Sequence, residues 1–213
     1  MSQDSLWKEA VEQYFGPLLA LFFPDVHHDV DFGRGYEFLN KELAEIALEG
    51  ETGRRYADSL VKVFLKDGTE RWLVIHIDVQ GYRDPNFERR MFIYNYRTFD
   101  RYDADVVTLV ILTDPNFHYR PHCFQVAHWG FRCLFEFPTV KLLDYRERWA
   151  ELEQSDSPFA VLVMAHLKAQ ETRKRSDERL FWKVTLVKAL YGRGYNRKEI
   201  LRLYWFIDHR FQK

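Results

Sequence analysis

The chain has 213 residues, 46% apolar and 30% charged, with a formal net charge of −1. That is the composition of a soluble globular protein with room for one substantial domain plus an appendage. No apolar stretch approaches the roughly 18 residues of a membrane span. The acidic, amphipathic start MSQDSLWKEAVEQYF lacks the basic head and apolar run of a signal peptide. Two cysteines, Cys123 and Cys133, are too few for a disulfide framework or a zinc knuckle, so they are expected as buried small apolar side chains in a reducing cytoplasm. The small net charge conceals a split. Residues 168–213 hold 13 Lys/Arg against 5 Asp/Glu, and the rest of the chain is correspondingly acidic. A basic end beside an acidic body suits a polyanion, and a solvated helical face would look the same.

In chain order, residues 5–22 place Leu6, Val11, Phe15, Leu18 and Leu19 at near-helical spacing until Pro24 ends the run. The stretch DVHHDVDFGRGY reads as a polar, turn-rich loop, and 36–48 as a second helix with Phe38, Leu39, Leu43 and Ile46 inward. Residues 55–66 and 70–80 are β-rich around the Asp67-Gly68 turn signal, a hairpin. Within the second strand, His76, Asp78 and Gln80 alternate with aliphatic residues and so share one face. Residues 86–102 read as a helix with Asn86 as N-cap and Phe92, Tyr96 and Phe99 on one stripe. The apolar run from Asp105 to Leu112 predicts a strand covered on both faces. Two aromatic strands are expected within 122–137, and helices from Phe159 onward with a break near Gly192 to Asn196. This order predicts an α/β or α+β core over 1–150 and a basic helical C-terminal extension over 151–213.

The hairpin register brings acidic residues together. A three-residue loop at 67–69 sets Asp58 directly opposite Asp78, and a two-residue loop sets it opposite Ile77, still a neighbour of Asp78. Cross-strand neighbours lie about 4.5–5.5 Å apart at Cβ. Two carboxylates so close repel unless a cation lies between them. Mg²⁺, which takes oxygen ligands from one or two carboxylates plus substrate phosphate, meets that need. Gln80 projects to the same side and can orient a water or a phosphate oxygen.

These residues also carry a resemblance. Tyr56-Ala57-Asp58-Ser59-Leu60-Val61-Lys62-Val63, Ile75-His76-Ile77-Asp78-Val79-Gln80-Gly81 and Arg90-Met91-Phe92-Ile93-Tyr94-Asn95-Tyr96-Arg97 are similar to the bacterial recombination-promoting nuclease and transposase family of the PD-(D/E)XK superfamily. Phe137-Pro138 with Val140-Lys141-Leu142-Leu143-Asp144-Tyr145, and Ala165-His166-Leu167-Lys168, resemble the same family, so the likeness spans roughly residues 15 to 207. It implies a restriction-endonuclease-like core, a mixed central sheet flanked by helices. It also implies a metal-dependent DNA endonuclease associated with mobile DNA or recombination, using Mg²⁺ or alternatively Mn²⁺. By the same resemblance Asp58 and Asp78 are metal ligands, Gln80 stands where the superfamily's lysine usually is, and Glu42 matches a helical metal ligand, with Glu45 as its competitor. Aspartate at 78 departs from the family's glutamate, and Gln80 removes a cation that could stabilise an attacking hydroxide. The chain also stops at Lys213 where members of the family continue, as expected of a truncated chain or a shortened gene.

The implied partner is double-stranded DNA, with no membrane and with a possible homodimer. Arg90, Arg97 and Arg101 fall near one helical face and could touch phosphates or form surface salt bridges. Arg173, Lys174 and Arg175, with Arg179 and Lys183, are the main candidates for contacting the DNA backbone. His76 either supports the metal ligands or packs against a helix. His27, His28, Asp29 and Asp31 form either a transition-metal site or a solvated loop. The rival to the enzyme is a catalytically impaired DNA-binding or regulatory module that keeps the nuclease fold.

Overall fold

A computed structural model of the chain describes residues 3–41, 59–67 and 72–212. The N-terminal helical signal resolves into two helices, α1 (Gln3–Gln13) and α2 (Phe15–Phe22), broken at Tyr14. The loop expected after Pro24 begins instead as a short helix, α3 (Pro24–Asp29), with proline at its start, where its missing N–H costs nothing. A 3₁₀ turn (Phe32–Arg34) follows, and Asp31 caps it by accepting from the Gly33 N–H. The helix expected from residue 36 is not what forms there: Tyr36–Phe38 is a strand, β1, and Asn40 and Lys41 are helical. Glu42, Glu45 and Asp58 lie outside the described residues.

The remaining elements are β2 (Ser59–Phe64), β3 (Trp72–Gln80), α4 (Phe87–Tyr102), β4 (Val106–Leu112), β5 (Cys123–His128), β6 (Phe131–Glu136), β7 (Thr139–Lys141), a 3₁₀ turn (Leu142–Arg146), α5 (Trp149–Gln154), α6 (Pro158–Glu171), α7 (Ser176–Gly192) and α8 (Arg197–Gln212). The architecture is mixed α/β. A five-stranded sheet runs in the order β1-β2-β3-β4-β7, antiparallel across its first two pairings and parallel across its last two. Ser59 pairs with Ile77 and Phe64 with Trp72, the register that a three-residue loop gives.

Both sheet faces are covered by helices, as the unbroken apolar run of β4 requires. Ile75, Ile77 and Val79 of β3, with Leu109 and Ile111 of β4, join the main core beneath α1, α2, α6 and α8. Val110 and Leu112 point the other way, onto Phe87, Met91 and Tyr94 of α4. Each fully buried aliphatic side chain contributes about 1.5–3 kcal/mol relative to exposure. The stripe on α4 is rotated from the expected one: Phe87, Met91, Tyr94 and Thr98 face the sheet, while Tyr96 and Phe99 are exposed.

The aromatic strands β5 and β6 form as anticipated, but as a separate two-stranded sheet. It rests on α4 through Phe124, stacked on Phe92 at 4.8 Å, and Phe135. Cys123 and Cys133 lie in this hairpin as free thiols and are only half-buried, because a two-stranded ribbon covers one face at most. In the C-terminal extension, α6 is buried almost all round, while α7 and α8 expose much of their surface. Among the described residues no helix is long and apolar enough to cross a membrane.

Candidate functional site

The period of a strand places Asp78 and Gln80 on one face of β3, and α4 packs over that face. Both side chains are fully buried. The group between them is Arg90, from the first turns of α4. Its Nη2 donates to Asp78 Oδ2 at 3.2 Å and to Gln80 Oε1 at 3.0 Å, and its Nη1 donates to Asp84 Oδ2 at 2.5 Å. Arg90 is 3% exposed, so the expectation of an open phosphate contact does not fit it. The rotation of α4 that turns Phe87, Met91 and Tyr94 inward carries Arg90 inward too, three residues from Phe87. Its guanidinium lies 5.1 Å from the Phe87 ring.

Gln80 is fixed at both ends, since its amide donates to the Tyr82 carbonyl at 2.6 Å. Its backbone carbonyl accepts from the Thr113 N–H just beyond β4. The Thr113 carbonyl in turn accepts from His166 Nε2 at 2.9 Å and Gln170 Nε2 at 3.2 Å, both on α6. The C-terminal helices are thereby tied to the strand ends that carry the site. Asp84 is its most open member, its side chain 15% exposed.

A second buried ion pair adjoins the first. Lys141, at the end of β7, donates to Asp114 just past β4, and both side chains are 1% exposed. Burial lowers the Lys141 pKa, and the bond to Asp114 opposes that shift. Tyr119 links the two pairs: its hydroxyl donates to the Asp84 carbonyl at 3.2 Å, and its carbonyl lies 3.4 Å from Lys141 Nζ. Burial pushes the Tyr119 phenol up to about 12. Sequence reasoning missed Asp84, Asp114, Tyr119 and Lys141. A lysine set between Val140 and the Leu142-Leu143 pair was the available signal, since a charge in such an apolar stretch needs a buried partner.

His76, on the same face, is fully buried edge-on to Tyr94, with ring centroids 5.6 Å apart. Neither ring nitrogen has a hydrogen-bond partner among the described residues. Burial, and then the charge of Arg90, lower its pKa to about 3, so it is a neutral packed ring. This fits packing against a helix better than support of metal ligands.

Other candidates separate. Arg97 is half-buried on α4. Arg173, Lys174 and Arg175 are exposed between α6 and α7, and Arg175 is engaged with Glu178 at 2.7 Å. Arg179 turns inward, donating to the carbonyls of Ala169, Arg210 and Phe211 where two helices end. Lys183 pairs with Asp208. The His28 ring bonds the adjacent Asp29, His27 packs on Phe32, and Asp31 serves as a cap, so among the described residues these side chains do not converge as a transition-metal site.

Among the described residues no group of three or more His, Cys, Asp or Glu is placed to hold a metal. Among the described residues, the atoms that accept from the Arg90 side chain are oxygens, two from carboxylates and one from an amide. That set has the chemistry of a hard divalent cation, and Asp58 and Glu42 fall outside what the structure describes. No protein-family model, no curated protein and no solved structure matches the chain.

Proposed function

We propose that the chain is a metal-dependent DNA endonuclease of the PD-(D/E)XK type, acting on double-stranded DNA. The observation that carries this reading is the convergence of Asp78 and Gln80 oxygens on one cationic point at the carboxyl ends of β3 and β4. Asp58 is next in sequence to Ser59, which pairs with Ile77 beside Asp78. Asp58 and Asp78, with Glu42, would hold Mg²⁺ or Mn²⁺. The ion would supply Lewis-acid stabilisation of the charge developing on the scissile phosphate. Gln80, oriented through its bond to Tyr82, presents its amide oxygen as an acceptor that can position a water. Arg90 holds the Asp78 carboxylate in place and shares its charge. Arg173 and Lys174 would add affinity for the phosphate backbone. A link to mobile DNA or recombination, and hence to transposition, rests on the family resemblance alone.

Arg90 also favours a second reading. Its guanidinium already neutralises Asp78 at full burial, as in a catalytically impaired DNA-binding or regulatory module. Supercoiled plasmid incubated with Mg²⁺ or Mn²⁺ separates the two. The endonuclease predicts nicking by the parent and none by Asp58→Ala or Asp78→Asn, with 5′-phosphate ends. Retention of plasmid without cutting would favour the binding module, and equal nicking by all three proteins would sink the assigned site.

A further inference from the structure

The β5–β6 hairpin ends in a two-residue turn, Trp129-Gly130, between the paired residues His128 and Phe131. Both turn residues have positive φ, 47° at Trp129 and 87° at Gly130. Such turns ordinarily take Asn or Asp at the first position, and a bulky side chain there is strained. Trp129 is also fully exposed at 103%, with Phe131 at 63% beside it and Phe117 at 60% on the preceding loop. The largest apolar side chain available therefore stands at a strained position where it buries nothing within the fold. Backbone strain of this kind points to a role for the side chain.

The surrounding charge selects the occupant. No Asp or Glu occurs between Asp114 and Glu136, while Arg120, Arg132 and three histidines do. Arg120 is engaged with Asp144, and Arg132 is exposed. The Trp129 and Phe131 rings at the tip, with exposed Arg132 next in the chain and no Asp or Glu among residues 115–135, make a surface that nucleic-acid bases can stack on while their phosphates meet little repulsion. The base of the hairpin is anchored on α4 by the Phe92–Phe124 stack, on the helix that also supplies Arg90. Phe137, which follows β6, packs on Phe87 of the same helix. The hairpin thus projects from the element that carries the candidate site.

We infer that the Trp129 tip is a stacking site for exposed bases of single-stranded or locally melted nucleic acid. This rests on the nucleic-acid reading above, without requiring cleavage. The probe is a short fluorescein-labelled single-stranded oligonucleotide, with its duplex as control, in the absence of divalent metal. Trp129→Ala should weaken single-strand binding about tenfold, and Trp129→Phe should keep most of it. The duplex should lose less. Equal binding of the oligonucleotide by parent and Trp129→Ala would overturn the stacking site and leave the endonuclease reading standing. Trp129-dependent binding from a parent that cuts nothing with any metal would support the tip and remove the endonuclease. A parent that binds neither form would overturn the stacking site and leave the metal-dependent reading to the plasmid test. A change of oligomeric state in Trp129→Ala without loss of oligonucleotide binding would identify a second copy of the chain as the occupant and overturn the inference.

Discussion

The Arg90 guanidinium lies 3.2 Å from the Asp78 carboxylate, and solvent reaches almost nothing of either. A buried pair of this kind adds little over a well-packed apolar pair, but removing one partner takes an opposite charge away from the other inside the protein. Arg90→Met should therefore cost about 3–5 kcal/mol in urea unfolding. Adding Asp78→Asn to it should recover part of the loss, and a double-mutant cycle measures the coupling. A loss below about 1 kcal/mol for the single variant would mean that the pair is not formed as described.

The same logic applies to Lys141 and Asp114, with a sharper contrast because both side chains are 1% exposed. Lys141→Met alone should destabilise by about 3–5 kcal/mol. Lys141→Met with Asp114→Leu should come close to the parent, since an apolar pair of similar volume needs no compensation. Thermal and chemical denaturation of the parent and the two variants report this directly.

His76 gives a pH signature. Its folded pKa of about 3 lies below the ordinary 6.5, so above pH 6.5 both folded and unfolded chains hold it neutral. As pH falls from 6.5 towards 3 the unfolded chain takes up the proton and the folded chain does not, so stability is lost across that window. Burial moves His166 in the same direction, and its contribution adds to the slope. His76→Leu should flatten part of the acid side of the stability profile. It should cost little at neutral pH, because neither ring nitrogen gives up a hydrogen bond to any described residue. An unchanged acid slope in the variant would show that His76 titrates normally.

If the C-terminal extension meets DNA, Arg173 and Lys174 are its exposed cations nearest the turn between α6 and α7. Replacing both by Ala should lower the magnitude of the log–log salt slope of duplex binding by about 1.8, at 0.9 per phosphate contact. Fluorescence anisotropy over a range of salt concentrations measures the slope. A slope equal to that of the parent would remove these residues from the interface.

The β2–β3 hairpin, with its register narrowed to two alternatives one residue apart, and the face shared by His76, Asp78 and Gln80 were legible before any coordinates, because a strand's period of two and a short turn are local rules. The unbroken apolar run of β4 likewise announced a strand covered on both sides. Residues 36–38 misled: they read as the start of a helix, but edge pairing of Tyr36 with Val63 made them a strand. Such pairing is a long-range contact that helical periodicity does not report.

What the sequence by itself determined is the set of chemistry-bearing residues on β3 and the side on which they project. Only the tertiary structure decided what they meet. The rotation of α4 on the sheet is set by how Phe87, Met91 and Tyr94 fit against Val110 and Leu112, and that fit turns Arg90 from an expected surface cation into the partner of Asp78. The Lys141–Asp114 pair and the projecting Trp129 turn arise in the same way. Residues distant in the chain become neighbours through packing, and no local period encodes which charge will find which partner.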